Sequence, residues 1–295
     1  MEVGFIGLGN AGLPIATNIL KGGNKLTVYD VRSERMELII PLGAVGANSP
    51  REVAMESEVI FTSLPHPKIS EDVMLGEEGV LAVAKVGSII VELSTVSPLL
   101  IERLGSIAKS KGVEVLDAAV AGGVERAIEG KLTLMVGGDK EVVEKVRPLF
   151  DLIAERVFHT GSLGSGMTVK IINNLISHVN MVAICEGMAL GVKAGISPKL
   201  LYDVVSVSSG DSDVLRRRFG KRILRRDFEG GMKLELAYKD SELACELGRA
   251  LGVPLYVTNV AHAVYEHAKS KGIVGKDYAA LIMLWEEIIG KEIKE

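Results

Sequence analysis

The chain has 295 residues, enough for one large domain or two ordinary ones with a buried core. Hydrophobic residues make up 47% of it, charged residues 24% and aromatic residues 4%. These fractions are close to the average of globular proteins and exclude fibrous, collagen-like and low-complexity classes. The formal net charge of −4 gives no overall attraction to nucleic acid or anionic membranes, so we expect small-molecule or protein partners.

Up to about residue 160, short β-branched runs alternate with amphipathic helical segments. The predicted strands, in chain order, are 3–6, 25–29, 59–63, 88–92, 113–117, 132–136 and 156–159. Helices are predicted to begin near Ala11, Ser33, Pro50, Ser97 and Asp139. This alternation predicts an α/β domain over residues 1–162, built on a doubly wound and mostly parallel sheet.

From residue 163 to 295 the strand signals stop and segments with a 3.6-residue period follow. The predicted helices are 165–194, 197–207, 233–251, 256–271 and 277–291. This pattern predicts an all-helical second domain. Its first helix, at about 45 Å for some 30 residues, is too long for a small domain to bury alone. We therefore expect it to bridge the two domains or to pack in a homodimer or homotetramer.

The cellular compartment is predicted from the first six residues and from the two cysteines. Residues 1–6 lack the features of a signal peptide, and Cys185 and Cys245 lie far apart in helical patterns typical of buried free thiols. Both observations favour the cytoplasm. The longest apolar run, 175–195, contains polar or charged residues that disfavour a membrane span: His178, Asn180, Glu186 and Lys193.

A glycine-rich turn follows the first predicted strand and opens the first predicted helix. It reads Gly7-Leu8-Gly9-Asn10-Ala11-Gly12, the spacing of the dinucleotide-binding (Rossmann) motif. In that motif Gly7 makes the tight turn, Gly9 allows the pyrophosphate to approach, and Gly12 lets the helix pack on the strand. The helix amino terminus then binds the phosphates. We expect Asn10 and Ala11 to contact the cofactor too.

Asp30 ends the second predicted strand, eighteen residues after Gly12, where a carboxylate can accept hydrogen bonds from the ribose of NAD. The same charge would repel the 2′-phosphate of NADP, so NAD is favoured. Arg32 and Arg35 are close enough in sequence to hold that phosphate instead, and Asp30 could alternatively cap the next helix.

Two further segments follow the carboxyl ends of predicted strands, the sheet edge at which such folds bind ligands. Leu64 and Pro65 follow one strand and Thr95 follows the next, so we expect all three to line the far half of the cofactor site.

The long helix carries a polar stripe near its start. Gly166, Lys170 and Asn174 are spaced four residues apart, with Asn173 beside them. Oxidation of an alcohol by nicotinamide needs a base for the hydroxyl proton, and a desolvated lysine can serve. Gly166 is interpreted as leaving room for a ligand. A solvated lysine on a helix surface is the alternative.

These motifs together resemble the β-hydroxyacid dehydrogenase family, of which 3-hydroxyisobutyrate dehydrogenase is a member. The resemblance rests on the glycine turn, on 117–123 (Asp-Ala-Ala-Val-Ala-Gly-Gly), on 166–174 (Gly-Met-Thr-Val-Lys-Ile-Ile-Asn-Asn) and on Lys239-Asp240. It implies hydride transfer between NAD, or NADP, and a small 3-hydroxy acid or its semialdehyde, with a helical domain closing the substrate cleft.

The resemblance also implies residue roles. Lys170 would be the catalytic acid and base, Asn174 would bind substrate, Gly122 and Gly123 would cradle its carboxylate, and Lys239 would reach the cofactor. The family's D-x-P-V-S-G-G segment differs here, because Ala119 replaces the proline and Ala121 replaces a serine that contacts substrate. We therefore expect a more apolar or differently seated substrate.

Other functions remain as alternatives at this point. The chain could be a non-catalytic NAD(P)-binding sensor, or a semialdehyde or imine reductase of the same fold. A metal site is not expected, since the five histidines are scattered. The basic stretch at 216–226 is interpreted as a solvated or intersubunit helix face, neutralised by Asp211, Asp213, Asp227 and Glu229, and no nucleic-acid partner is expected.

Overall fold

The computed structural model describes all 295 residues, which form two compact units, Met1–Lys170 and Ile171–Glu295. The boundary between the units falls inside the long helix, eight residues beyond the boundary predicted at residue 162. The functions predicted for the two domains stay predictions.

The first unit is built on one eight-stranded sheet in the order β3-β2-β1-β4-β5-β6-β7-β8. The strands are β1 Glu2–Ile6, β2 Lys25–Tyr29, β3 Val45–Gly46, β4 Val59–Thr62, β5 Ile89–Glu92, β6 Glu114–Ala121, β7 Leu132–Gly137 and β8 Ala154–Gly161. Only the β6–β7 pair is antiparallel, so the predicted doubly wound and mostly parallel sheet is confirmed. The two-residue edge strand β3 was not predicted.

Helices connect these strands. They are α1 Gly12–Lys21, α2 Ser33–Met36, α3 Pro50–Met55, α4 Pro67–Leu75, α5 Pro98–Ser110, α6 Gly123–Ile128 and α7 Lys140–Phe150, with short 3₁₀ turns at Ile40–Leu42 and Val80–Ala82. The starts of five were predicted to within one residue, and α4 and α6 were missed. Separate apolar clusters cover the two faces of the sheet, one around Phe5, Phe61 and Phe150 and one around Ile60 and Ile90. Central strands are consequently buried throughout, as in parallel sheets generally.

The second unit contains helices only, as predicted. The long helix α8 Ser165–Lys193 leads into it, followed by α9 Pro198–Val205, a π-helix at Leu215–Ile223, α10 Leu234–Leu251, α11 Tyr256–Ser270, a 3₁₀ turn at Tyr278–Leu281 and α12 Ile282–Ile289. The π-helix was not predicted. By length and composition alone α8 could cross a membrane, a test that core helices of soluble proteins also pass.

The basic stretch at 216–226 is largely neutralised, although not only by the predicted acids. Arg218 and Arg222 both approach Asp277, which is fully buried, at 2.7 and 3.7 Å. Arg226 pairs with Glu286, another acid that the sequence reasoning did not include. Cys185 and Cys245 are buried and free, as predicted.

Candidate active site

The glycine turn joins β1 to α1, and its three glycines have different surroundings. Gly7 has a φ of +96°, which favours glycine, and its N–H donates to the Tyr29 carbonyl at 2.8 Å. A Cβ on Gly12 would collide with the Gly7 carbonyl oxygen, whereas a Cβ on Gly9 would meet no atom within 4 Å. Gly7 and Gly12 are therefore required by the protein's own packing, and Gly9 leaves an open surface for a ligand.

The amino end of α1 suits a phosphate group. Ala11 occupies the N-cap position, and no side chain caps the helix. The backbone N–H groups of a first turn need acceptors, and the helix dipole favours an anion there. The residues present therefore fit the pyrophosphate of a dinucleotide.

Asp30 and Arg35 brace this turn. The buried Asp30 carboxylate accepts hydrogen bonds from the N–H groups of Leu8 at 2.7 Å and Arg32 at 2.9 Å. The Arg35 guanidinium donates to the Leu8 carbonyl at 2.7 Å. Asp30 does not cap α2, since that helix has no side-chain cap. Its contact with the cofactor ribose stays a prediction.

The loops after β4 and β5 are tied together by a buried acid that sequence reasoning missed. Glu92 accepts the Ser94 N–H at 2.8 Å, and the Ser94 hydroxyl accepts the Leu64 N–H at 2.7 Å. Burial raises the pKa of Glu92, against the opposing effect of the hydrogen bond from Ser94. The only sign of this role in the sequence is that Glu92 ends an otherwise apolar strand. This link fixes the segments that carry Leu64, Pro65 and Thr95.

The end of β6 leads into two successive glycines with positive φ, which we call the glycine nest. Gly122 and Gly123 have φ values of +131° and +79°, a conformation in which successive N–H groups can converge on an anion. Ala119 is fully buried in the core of the same strand, and Ala121 is half-buried. The glycine turn and the segments after β4 and β5 lie at the same edge of the sheet as this nest, because Ile6, Thr62, Glu92 and Asp117 are register neighbours in turn.

Lys170 lies in the second turn of α8 and is half-buried. The first turn of the helix is held by Asp117 of β6, which accepts the N–H groups of Gly164 at 2.8 Å and Met167 at 2.7 Å. A Cβ on Gly166 would lie 2.8 Å from the Asp117 carboxylate, as well as against the Met135 backbone. The interpretation that Gly166 leaves room for a ligand is therefore wrong, because protein atoms fill that space.

In the second unit, Asp240 brings together two predicted site residues. The buried Asn174 amide donates to Asp240 at 2.6 Å, and the Lys239 ammonium pairs with the other Asp240 oxygen at 3.2 Å. The Asn173 amide donates to the Asn174 carbonyl oxygen at 3.0 Å. The amide of Asn174 is therefore held in one orientation by a charge that sequence reasoning did not assign.

His178, which follows Lys170 on the same helix, is packed into the helical core. His178 is buried between the rings of Tyr265 and Tyr278 at centroid distances of 5.6 and 5.5 Å, inside the helical unit. No group of three or more His, Cys, Asp and Glu side chains is placed to hold a metal ion.

Comparison with known proteins assigns the family. Two protein-family models match the chain. Residues 2–161 match the family described as the NAD binding domain of 6-phosphogluconate dehydrogenase. Residues 164–285 match the family described as NAD-binding of NADP-dependent 3-hydroxyisobutyrate dehydrogenase. The 2-(hydroxymethyl)glutarate dehydrogenase of Eubacterium barkeri is 38% identical over 99% of this chain and 97% of its own. The chain belongs to the β-hydroxyacid dehydrogenase family.

Two further relatives agree. The NAD-dependent L-serine dehydrogenase of Pseudomonas aeruginosa is 33% identical over 98% of this chain and 99% of its own. The crystallised 3-hydroxyisobutyrate dehydrogenase of Mycobacterium tuberculosis with L-serine has a TM-score of 0.88 at 27% identity, covering 96% of this chain and 98% of that one. This β-hydroxyacid dehydrogenase is thus an oxidoreductase acting on CH–OH donors with NAD, or alternatively NADP, and the sensor and imine-reductase readings are not favoured.

Proposed function

We propose that this enzyme oxidises a small 3-hydroxy acid to its semialdehyde, or reduces the semialdehyde, with NAD as the redox partner. The observation that carries the proposal is the pair of hydrogen bonds that Asp117 accepts from backbone N–H groups at the start of α8. It ties the helix that bears Lys170 to the strand that ends in the glycine nest. A base and an anion cradle on such a joined framework are what oxidation of a hydroxy acid requires.

Each residue has a defined part in the reaction. The N–H groups of Gly122 and Gly123 bind the substrate carboxylate, and the Asn174 amide orients the substrate. The nicotinamide ring supplies the hydride acceptor. The Lys170 amine takes the hydroxyl proton while the carbinol C–H bond breaks and the C=O bond forms. In the reverse direction the Lys170 ammonium returns that proton to the aldehyde oxygen.

The substrate is expected to make few hydrogen bonds near residue 121. Ala121 has no hydroxyl group, and a lost hydrogen bond of that kind corresponds to about 0.5–1.5 kcal/mol. A substrate with an apolar substituent at this position suits the change better than one with a further hydroxyl.

Substitution of Lys170 tests the proposal. Lys170→Ala should lower kcat by about 10²–10⁴-fold, because proton transfer is lost, while the Kd for NAD stays unchanged. Lys193→Ala, at the far end of the same helix, is the matched control and should keep wild-type kcat. Tight NAD binding by the wild type with no turnover of any 3-hydroxy acid or semialdehyde would instead indicate a sensor.

We also propose a cytoplasmic homodimer or homotetramer. Several large apolar side chains on the helical unit are strongly exposed, and association with a second copy would remove them from water. The most exposed are Leu190, Val207, Tyr256, Val260 and Ile288. Free buried thiols support a reducing compartment. Sedimentation as a monomer at micromolar concentration would contradict the oligomer, and recovery outside the soluble cell fraction would contradict the location.

A further inference from the structure

We propose that Asp117 is a positioning residue, which sets the place of the Lys170 amine relative to the nest of Gly122 and Gly123. The inference rests on the proposed function. Asp117 touches neither substrate nor cofactor in this view and acts through the backbone of α8.

The contacts make Asp117 the link between two parts of the site. Its side chain is fully buried, and its two oxygens accept separate N–H groups, Gly164 on one and Met167 on the other. Gly122 lies five residues after it in sequence, immediately past the end of β6. Along α8, Met167 lies three residues before Lys170. The Asp117 carboxylate therefore connects the glycine nest to Lys170 through short stretches of chain.

The neighbouring glycine shows that this contact is close. At Gly166 a Cβ would lie 2.8 Å from an Asp117 oxygen, so any other residue would push the helix away from the carboxylate. The position also suits the charge, since a carboxylate at a helix amino terminus is favoured by the helix dipole. Burial raises the pKa of Asp117, and the N–H groups of Gly164 and Met167 oppose that rise.

The expected loss of rate follows from how far a tilt at the start of α8 would displace Lys170. Lys170 is about 6 Å along the axis from Gly166 at 1.5 Å per residue. A tilt of the first turn by about 10° would move the Lys170 backbone by about 1 Å, and misplacements of that size can cost about 10²-fold in rate. Binding of NAD at the distant glycine turn should not change.

The test compares Asp117→Asn with Asp139→Asn. Asp139 is a matched control, because its carboxylate also accepts two backbone N–H groups at a helix start, those of Glu141 and Val142 at the start of α7. Asp117→Asn cannot accept both N–H groups. It should lower kcat by 10- to 100-fold, leave the KM for NAD within threefold, and raise the deuterium isotope effect on kcat for substrate labelled at the carbinol carbon. Asp139→Asn should change none of these.

A second variant decides the matter if Asp117→Asn does not fold. Asp117→Glu keeps both acceptor oxygens but displaces the helix start by one methylene, and it should show the same fall in kcat and rise in isotope effect. Wild-type kcat and isotope effect in the folded variants would overturn the inference while Lys170→Ala still supports the proposed function. Absence of turnover in the wild type would overturn both.

Discussion

The three glycines of the first turn allow fold stability to be separated from cofactor binding. Gly9→Ala adds a methyl group where no protein atom lies within 4 Å, and the φ of Gly9 is not in the left-handed region. Gly12→Ala adds the same group where it would collide with the Gly7 carbonyl and lie 3.2 Å from the Phe5 ring. We expect Gly9→Ala to lose NAD affinity without losing stability, and Gly12→Ala to lose stability.

The magnitudes follow from these surroundings. An overpacked site costs about 1–3 kcal/mol of unfolding free energy, which is our expectation for Gly12→Ala. At Gly9 alanine fits the backbone, so the unfolding free energy should stay the same or rise by up to about 1 kcal/mol. A methyl group that keeps the pyrophosphate from one N–H removes about 1.5–3 kcal/mol of binding free energy, which weakens NAD binding by about 10- to 150-fold.

Urea unfolding of the cofactor-free proteins and calorimetric titration with NAD measure the two quantities separately. The reasoning fails if Gly9→Ala binds NAD as tightly as the wild type, since the open surface at Gly9 would then not face the pyrophosphate. It also fails if Gly9→Ala is destabilised as much as Gly12→Ala.

Three further outcomes are expected. Asp240→Ala should raise the KM for the hydroxy acid about tenfold by releasing the Asn174 amide, as measured in steady-state assays against Glu246→Ala, an exposed control on the same helix. Because burial raises the folded-state pKa of Glu92 above its ordinary 4.5, the contribution of Glu92 to the stability of the wild type should fall as the pH rises from 4.5 towards that raised pKa. Glu92→Gln cannot ionise, so urea unfolding should show its stability relative to the wild type increasing over that range; a flat difference would refute this. Cys185 and Cys245 should resist a thiol reagent until the protein unfolds, because burial also raises both thiol pKa values.

The sequence predicted the sheet well because its signals are local. Seven of the eight strands were found, since β-branched runs such as 25–29 carry a clear pattern. The strand β3 was missed because two residues, Val45 and Gly46, are too few to show the alternation of apolar and polar residues that indicates a strand. The helix α6 was missed because it begins at the second of two successive glycines, a pair that normally indicates a loop. The π-helix at Leu215–Ile223 has the composition of any charged helix, and its hydrogen-bond pattern leaves no trace in residue types.

The supporting residues of the site were harder to predict than its glycines and lysines. Asp117, Glu92 and Asp240 act through partners that are distant in sequence or contributed by the backbone. Met167 is 50 residues from Asp117, and Asn174 is 66 residues from Asp240. Every residue except proline has a backbone N–H group, so the residue types of the partner segment do not indicate which acid will bind it. Gly166 shows the same limit, since the spacing was noticed but the atoms that require a glycine belong to Asp117 and Met135.

The missing side-chain cap at the start of α1 links the stability of this enzyme to cofactor binding. With Ala11 at the N-cap, no side chain accepts the N–H groups of the first turn, and under the proposed function the pyrophosphate of NAD would accept hydrogen bonds there. NAD bound there would stabilise the folded protein, so the cofactor-free enzyme is expected to be the less stable form. Ala11→Asp would place a negative charge against those phosphates, so a start without an acidic cap is the arrangement that suits cofactor binding.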